Sequence, residues 1–230
     1  MDARTTNTVQ TADRVSAFLW KVYGWMAVGL GLTAIVAFAV AGSPDLLRVL
    51  VGNRLVFFAL VIAELGLVFF LSARADRLAP GTAAGLFALY SALNGVTLSV
   101  ILLAYTGESV TMTFVVTAGM FGALALFGST TKRSLAGAGQ FFMMGLIGLI
   151  LASIIGMFWH NDALQFLISV VGVIVFTGLT AWDAQRLRQM ALALPPGRVG
   201  AYAVVGALSL YLDFINLFLM LLRFTGSRRD

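Results

Sequence analysis

Ala207-Leu-Ser-Leu-Tyr-Leu-Asp-Phe-Ile-Asn-Leu-Phe-Leu-Met-Leu-Leu-Arg223 decides how the chain is read. Apolar side chains fill this stretch, and the run reaches back to about Ala201. That is long enough to cross the hydrocarbon core of a bilayer, which takes roughly 20 residues of helix. Asp213 sits near its middle, after about a dozen mostly apolar residues. Ser209, Asp213 and Asn216 fall at i, i+4 and i+7, so a helix gathers them into one polar stripe. A carboxylate at that depth is costly unless it faces the interior of a bundle or water. The segment therefore reads as a spanning helix with one sheltered face.

Six further apolar segments lie upstream, at about Trp20–Ala41, Leu55–Leu71, Thr82–Ala104, Val110–Phe127, Phe141–Phe158 and Leu164–Trp182. They are separated by short polar breaks such as Gly42-Ser43-Pro44, Pro80-Gly81 and Ser129-Thr130-Thr131-Lys132-Arg133. Hydrophobic residues make up 60% of the 230 and charged ones only 11%, more apolar surface than a water-soluble domain of this size can hide. Barrel strands are excluded, because the blocks are too long and open backbone cannot face lipid. The expected fold is an all-α membrane protein of seven spanning helices, in three parts: a polar tail over 1–17, a seven-helix domain over 18–226 and a basic tail over 227–230. The N-terminal stretch lacks the basic start, short apolar core and small-residue site of a cleavable signal peptide, so the first helix reads as an uncleaved anchor.

The net charge of +5 would suggest nucleic acid in a soluble protein. Here the basic residues flank apolar blocks, where they set topology and meet anionic lipid headgroups, so the lipid bilayer is the expected partner and nucleic acid is not. With a cytoplasmic N-terminus and seven crossings, Lys and Arg number 10 inside and 5 outside. That split favours the N-terminus inside the cell membrane. It also leaves a basic tail outside, and a re-entrant last segment would bring the tail back in.

No cysteine and a single histidine, His160, exclude disulfides, thiolate chemistry and histidine-based metal clusters. No H-E-x-x-H, P-loop or G-x-S-x-G motif is present, so neither an enzyme nor a cofactor is expected. An aspartyl protease of the membrane would carry Gly-x-Gly-Asp, whereas Asp213 follows Leu210-Tyr211-Leu212. His160, beside Asn161 and Asp162, reads as a solvated loop residue.

The polar residues inside the apolar blocks carry the functional signal. Besides Asp213 they are Asp183, which closes the sixth segment below Thr177 and Thr180, and Glu64 in the second. Arg74 follows Glu64 by ten residues, about 15 Å of helix rise, which puts Arg74 at the inner boundary beside Asp183. An Arg74–Asp183 ion pair is then geometrically accessible. Ser91, Asn94 and Thr97 step by three along the third segment and line the same polar interior. Gly148, Ala152 and Gly156 on the fifth segment, with Gly81 and Gly85 on the third, form small-residue stripes that let helices approach.

These residues resemble the Bax inhibitor family, also called the transmembrane Bax-inhibitor-motif family. The last helix is similar to the family's terminal Leu-Tyr-x-Asp-x-Ile-Asn-Leu-Phe. Leu93-Asn94-Gly95-Val96-Thr97-Leu98-Ser99, Tyr105-Thr106, Thr130-Thr131-Lys132 and Thr180-Ala181-Trp182-Asp183-Ala184-Gln185 match as well, with Trp182 where the family usually has Tyr. The similarity spans about Phe18 to Arg223. The resemblance implies six helices around a central seventh, the last, and a pH-sensitive calcium leak. It makes Asp183 and Asp213 a pH-sensing pair that is also a weak calcium site, and Arg74 the arginine that engages one of them. Glu64, Asn94, Thr97, Ser209 and Asn216 become candidate residues of the ion pathway. Bacterial relatives also include partners of a membrane-bound protease, which implies a different class of function: regulation by contact without conduction.

Overall fold

The computed structural model describes residues 3–159, 161–195 and 198–229. His160 lies outside them. Eight helices follow in order: α1 Ala3–Ala41, α2 Pro44–Gly52, α3 Arg54–Ala73, α4 Pro80–Ala104, α5 Gly107–Thr130, α6 Ala136–Phe158, α7 Asp162–Ala193 and α8 Val199–Thr225. All but α2 are long and apolar enough to cross a membrane. Their outward faces are apolar, as a bilayer requires: Trp20, Leu55, Phe69 and Phe158 are 78%, 80%, 71% and 84% exposed. The last helix is the most sheltered. Of its most apolar stretch 67% is buried, against at most 39% in the other spans.

The chain folds as two compact units, Met1–Ala104 with Arg188–Tyr211, and Tyr105–Leu187 with Leu212–Asp230, so α7 and α8 each contribute to both. In the first unit α1 packs along α4 and α3 packs on α4. Phe18, Val22 and Met26 step by four down the buried face of α1. The close approach of α1 and α4 needs glycine: a Cβ at Gly95 would sit 2.7 Å from the Thr33 carbonyl oxygen. Arg14 and Arg198 donate to the carbonyls of Leu194 and Asp76, each at 3.2 Å, fastening segments of this unit together.

The second unit closes on a core of Leu149 from α6, Ile168, Val175, Phe176 and Leu179 from α7, and Leu217, Met220 and Leu221 from α8. Phe114 and Phe121 of α5 stand edge-on to Phe214, with ring centroids 5.4 and 5.5 Å away. At Gly128 the backbones of α5 and α7 nearly touch, since a Cβ there would collide with the Ala181 carbonyl.

Several sequence expectations change. Helix α1 begins at Ala3 rather than near Trp20, because the polar N-terminal residues continue its register. The break at Gly42-Ser43-Pro44 opens a further short helix, α2, with proline in its first turn, where a missing N–H costs nothing. Helix α7 runs on to Ala193, so Asp183 lies within the helix instead of closing it. Polarity had marked the end, but Ala184-Gln185-Arg186-Leu187 are good helix formers. The small-residue stripes place the contacts only in part. Gly156 lies against Gln165 and Ala152 packs on the core of the second unit, whereas Gly81, Gly85 and Gly148 have open space beside them. The close approaches of Gly139 to Trp182 and Gly178 to Phe142 fall outside the stripes. Spacing shows that residues share a face without showing which face is covered. Helix α8 is unbroken, and the segment after it turns onto the α4–α5 junction: Thr106 N donates to Ser227 O at 3.0 Å and Ser227 N to Ser109 Oγ at 2.9 Å.

Candidate functional site

Two polar centres lie within the helices, one in each unit. The centre in the second unit is Asp213. Leu212, Phe214 and Ile215 continue the helix around it, and its side chain is turned from solvent, 7% exposed. Its Oδ2 is a buried polar atom that meets no hydrogen-bond partner. Asp183, half-buried on α7, is within electrostatic reach of it. Around Asp183 the backbone is held in place on two sides. Gly128 lets α5 press against Ala181, and Gln185 clamps the α5–α6 turn, accepting from Leu135 N and donating to Arg133 O, each at 2.8 Å. Asn216, one turn past Asp213, gives its amide hydrogen to the Leu212 carbonyl of its own helix at 2.8 Å. No group of three His, Cys, Asp or Glu side chains converges among the described residues.

The centre in the first unit is Glu64, 8% exposed in the middle of α3. Both its oxygens are engaged by α4: Asn94 Nδ2 donates to Oε2 at 3.2 Å and Thr97 Oγ to Oε1 at 3.0 Å. The contacts continue inward. Tyr211 OH donates to Asn94 Oδ1 at 2.9 Å and lies 2.7 Å from Thr33 Oγ, which donates to the Ser91 carbonyl at 2.8 Å. Phe87 and Tyr90 pack edge-on against the Tyr211 ring.

Arg74 also belongs to the first unit. It caps the C-terminus of α3 and is exposed, its guanidinium 5.1 Å from the centre of the Phe70 ring. Ser209 is half-buried on α8 one turn before Asp213. Thr33, Tyr211 and Gln185 were not singled out from the sequence. Thr33 is a lone hydroxyl in an apolar run and Tyr211 stands two residues before Asp213, which are the signals that mark them in retrospect.

An apolar exterior, seven spanning helices and acids sheltered inside define a multi-pass α-helical membrane protein. The sequence says which kind. Residues 15–230 match the family described as "Inhibitor of apoptosis-promoting Bax1". The chain is 48% identical over 229 residues to the inner membrane protein YbhL of Escherichia coli, covering 98% of both chains. It is 43% identical to a protein of Deinococcus radiodurans over 95% of this chain and 94% of that one. It is 39% identical to a membrane protein of Streptococcus pyogenes over 92% and 93%. The chain belongs to the Bax inhibitor family.

Proposed function

We propose that this chain is a calcium leak of the cell membrane, N-terminus in the cytoplasm, gated by a proton that Asp183 and Asp213 share. The observation that carries the reading is the buried, unpartnered Oδ2 of Asp213; Asp183 is the second carboxylate within the helices of the same unit. Two carboxylates in a low-dielectric setting cannot both ionise cheaply, so the pair titrates in coupled steps. With one proton between them, an O–H of one acid donates to the other and ties α7 to α8. Losing the proton leaves two like charges, which separate unless a cation stands between them. Calcium prefers carboxylate oxygens but takes roughly six to eight ligands. Two acids with no third to join them among the described residues suit passage better than storage. Ser209 and Asn216 flank Asp213 along α8, and Arg74 supplies positive charge at the end of α3. Nothing in this scheme needs a cofactor or a bond-making step.

Purified protein in vesicles loaded with a calcium-sensitive dye tests the reading. Calcium entry that varies with pH in the wild type should lose that dependence in Asp213→Asn and in Asp183→Asn. Wild-type pH curves in both variants would refute the shared proton. Vesicles that admit no calcium at any pH, from a protein that co-purifies with a membrane protease, would replace conduction with regulation by contact.

A further inference from the structure

The contacts around Glu64 do not hold enough hydrogens for an ionised acid. They are Asn94 Nδ2 to Oε2, Thr97 Oγ to Oε1, Thr97 Oγ to Asn94 O at 3.0 Å, Tyr211 OH to Asn94 Oδ1, Tyr211 OH to Thr33 Oγ, and Thr33 Oγ to Ser91 O. An ionised glutamate only accepts, and each hydroxyl has one hydrogen to give. If Tyr211 donates to Asn94, the Thr33 hydrogen must serve both Tyr211 and the Ser91 carbonyl, at 2.7 and 2.8 Å. One of these oxygen pairs is then left without a hydrogen, and lone pairs repel at that distance. The Thr97 hydrogen is divided in the same way between Glu64 and the Asn94 carbonyl.

We propose that Glu64 is a proton-binding site, and that its protonated form is the one this chain of contacts is built to hold. A carboxamide has nearly the same shape whichever way it faces, so Asn94 can turn over without moving its neighbours. Then the O–H on Glu64 Oε2 donates to Asn94 Oδ1, Nδ2 donates to Tyr211, Tyr211 donates to Thr33, and Thr33 donates to the Ser91 carbonyl. Every contact on that path has its hydrogen, and one proton organises side chains of α3, α4, α8 and α1. A proton on Oε1 instead would donate to Thr97 and release the Thr97 hydrogen to the Asn94 carbonyl.

Among the described residues no Lys or Arg makes an ion pair with Glu64. Helix α4, which faces Glu64, has no charged residue, and its titratable group there is the phenol of Tyr90. From α8 the facing group is the phenol of Tyr211. From α1 it is the neutral Thr33, by way of Tyr211. On α2, Asp45 and Arg48 pair with each other, 93% and 82% exposed.

Infrared spectroscopy of the full chain in lipid vesicles at neutral pH reads the proton directly, through the C=O stretch of a carboxylic acid. The Asp183→Asn/Asp213→Asn double variant silences the other acid pair. In that background an acid band should be present, and adding Glu64→Gln should remove it. Glutamine keeps the shape of the protonated acid, so the fold is retained. Adding Asn94→Leu instead should shift the band, because the acid O–H loses its acceptor. Only ionised-carboxylate bands, or an acid band that survives Glu64→Gln, would overturn the proposal. A band that Asn94→Leu leaves unmoved would overturn the path through Asn94.

Discussion

The two units treat a buried acid in opposite ways. In the first, Glu64 has both oxygens engaged and its neighbours linked to one another. In the second, Asp213 is equally sheltered, yet one oxygen meets no partner. A satisfied acid holds its surroundings together, whereas an unsatisfied one is a standing cost that persists only where a ligand or a proton will occupy it. The difference separates an acid that organises structure from one poised to respond.

The sharpest way to break the comparison is functional. Asp213→Asn should flatten the pH profile of calcium flux completely, while Glu64→Gln should leave that profile in place; flux measured across pH in vesicles decides. The next effect is on stability, and its size differs between the centres. Glu64→Ala strands Asn94 and Thr97 and should cost about 1–3 kcal/mol, at the scale of a buried polar group left alone. Asp213→Leu removes an unpartnered oxygen together with the latch to Asp183 and should cost less than Glu64→Ala, as measured by thermal unfolding in detergent. Gly128→Ala drives a methyl into the Ala181 carbonyl and should cost about 1–3 kcal/mol by overpacking, confined to the second unit. Charge reversal, Arg74→Glu, should change the amplitude of flux more than its pH midpoint; an unaltered amplitude removes Arg74 from the gate. The smallest effect belongs to Tyr211→Phe, about 0.6 kcal/mol, the average worth of a hydrogen bond between membrane helices.

The spans were legible because hydrophobic blocks of bilayer length leave few alternatives, and the mid-helix positions of Asp213 and Glu64 followed from counting residues. The extra turns of α7 beyond Asp183 were not legible. A helix that leaves the apolar zone keeps its hydrogen bonds but loses the hydrophobic signal. The partners of Glu64 were half legible: the three-residue step of Asn94 and Thr97 placed them on one face, but no periodicity says that α3 lies on that face. Thr33 and Tyr211 were hidden because a single hydroxyl hardly alters the hydropathy of its segment. Gly128 and Gly139, which set how closely helices approach, show no pattern apart from the many glycines that touch nothing.

The segment after α8 is stitched to the α4–α5 junction by the amides of Thr106 and Ser227 and by a bridge between Tyr105 and Arg228. Whatever the orientation of the protein in its membrane, the carboxyl end and that junction emerge on the same side. A cysteine label or protease site placed at either one therefore reports the sidedness of both. A bulky reporter fused after Arg229 would pull on this stitch, so an amino-terminal fusion is the gentler handle for purification and imaging.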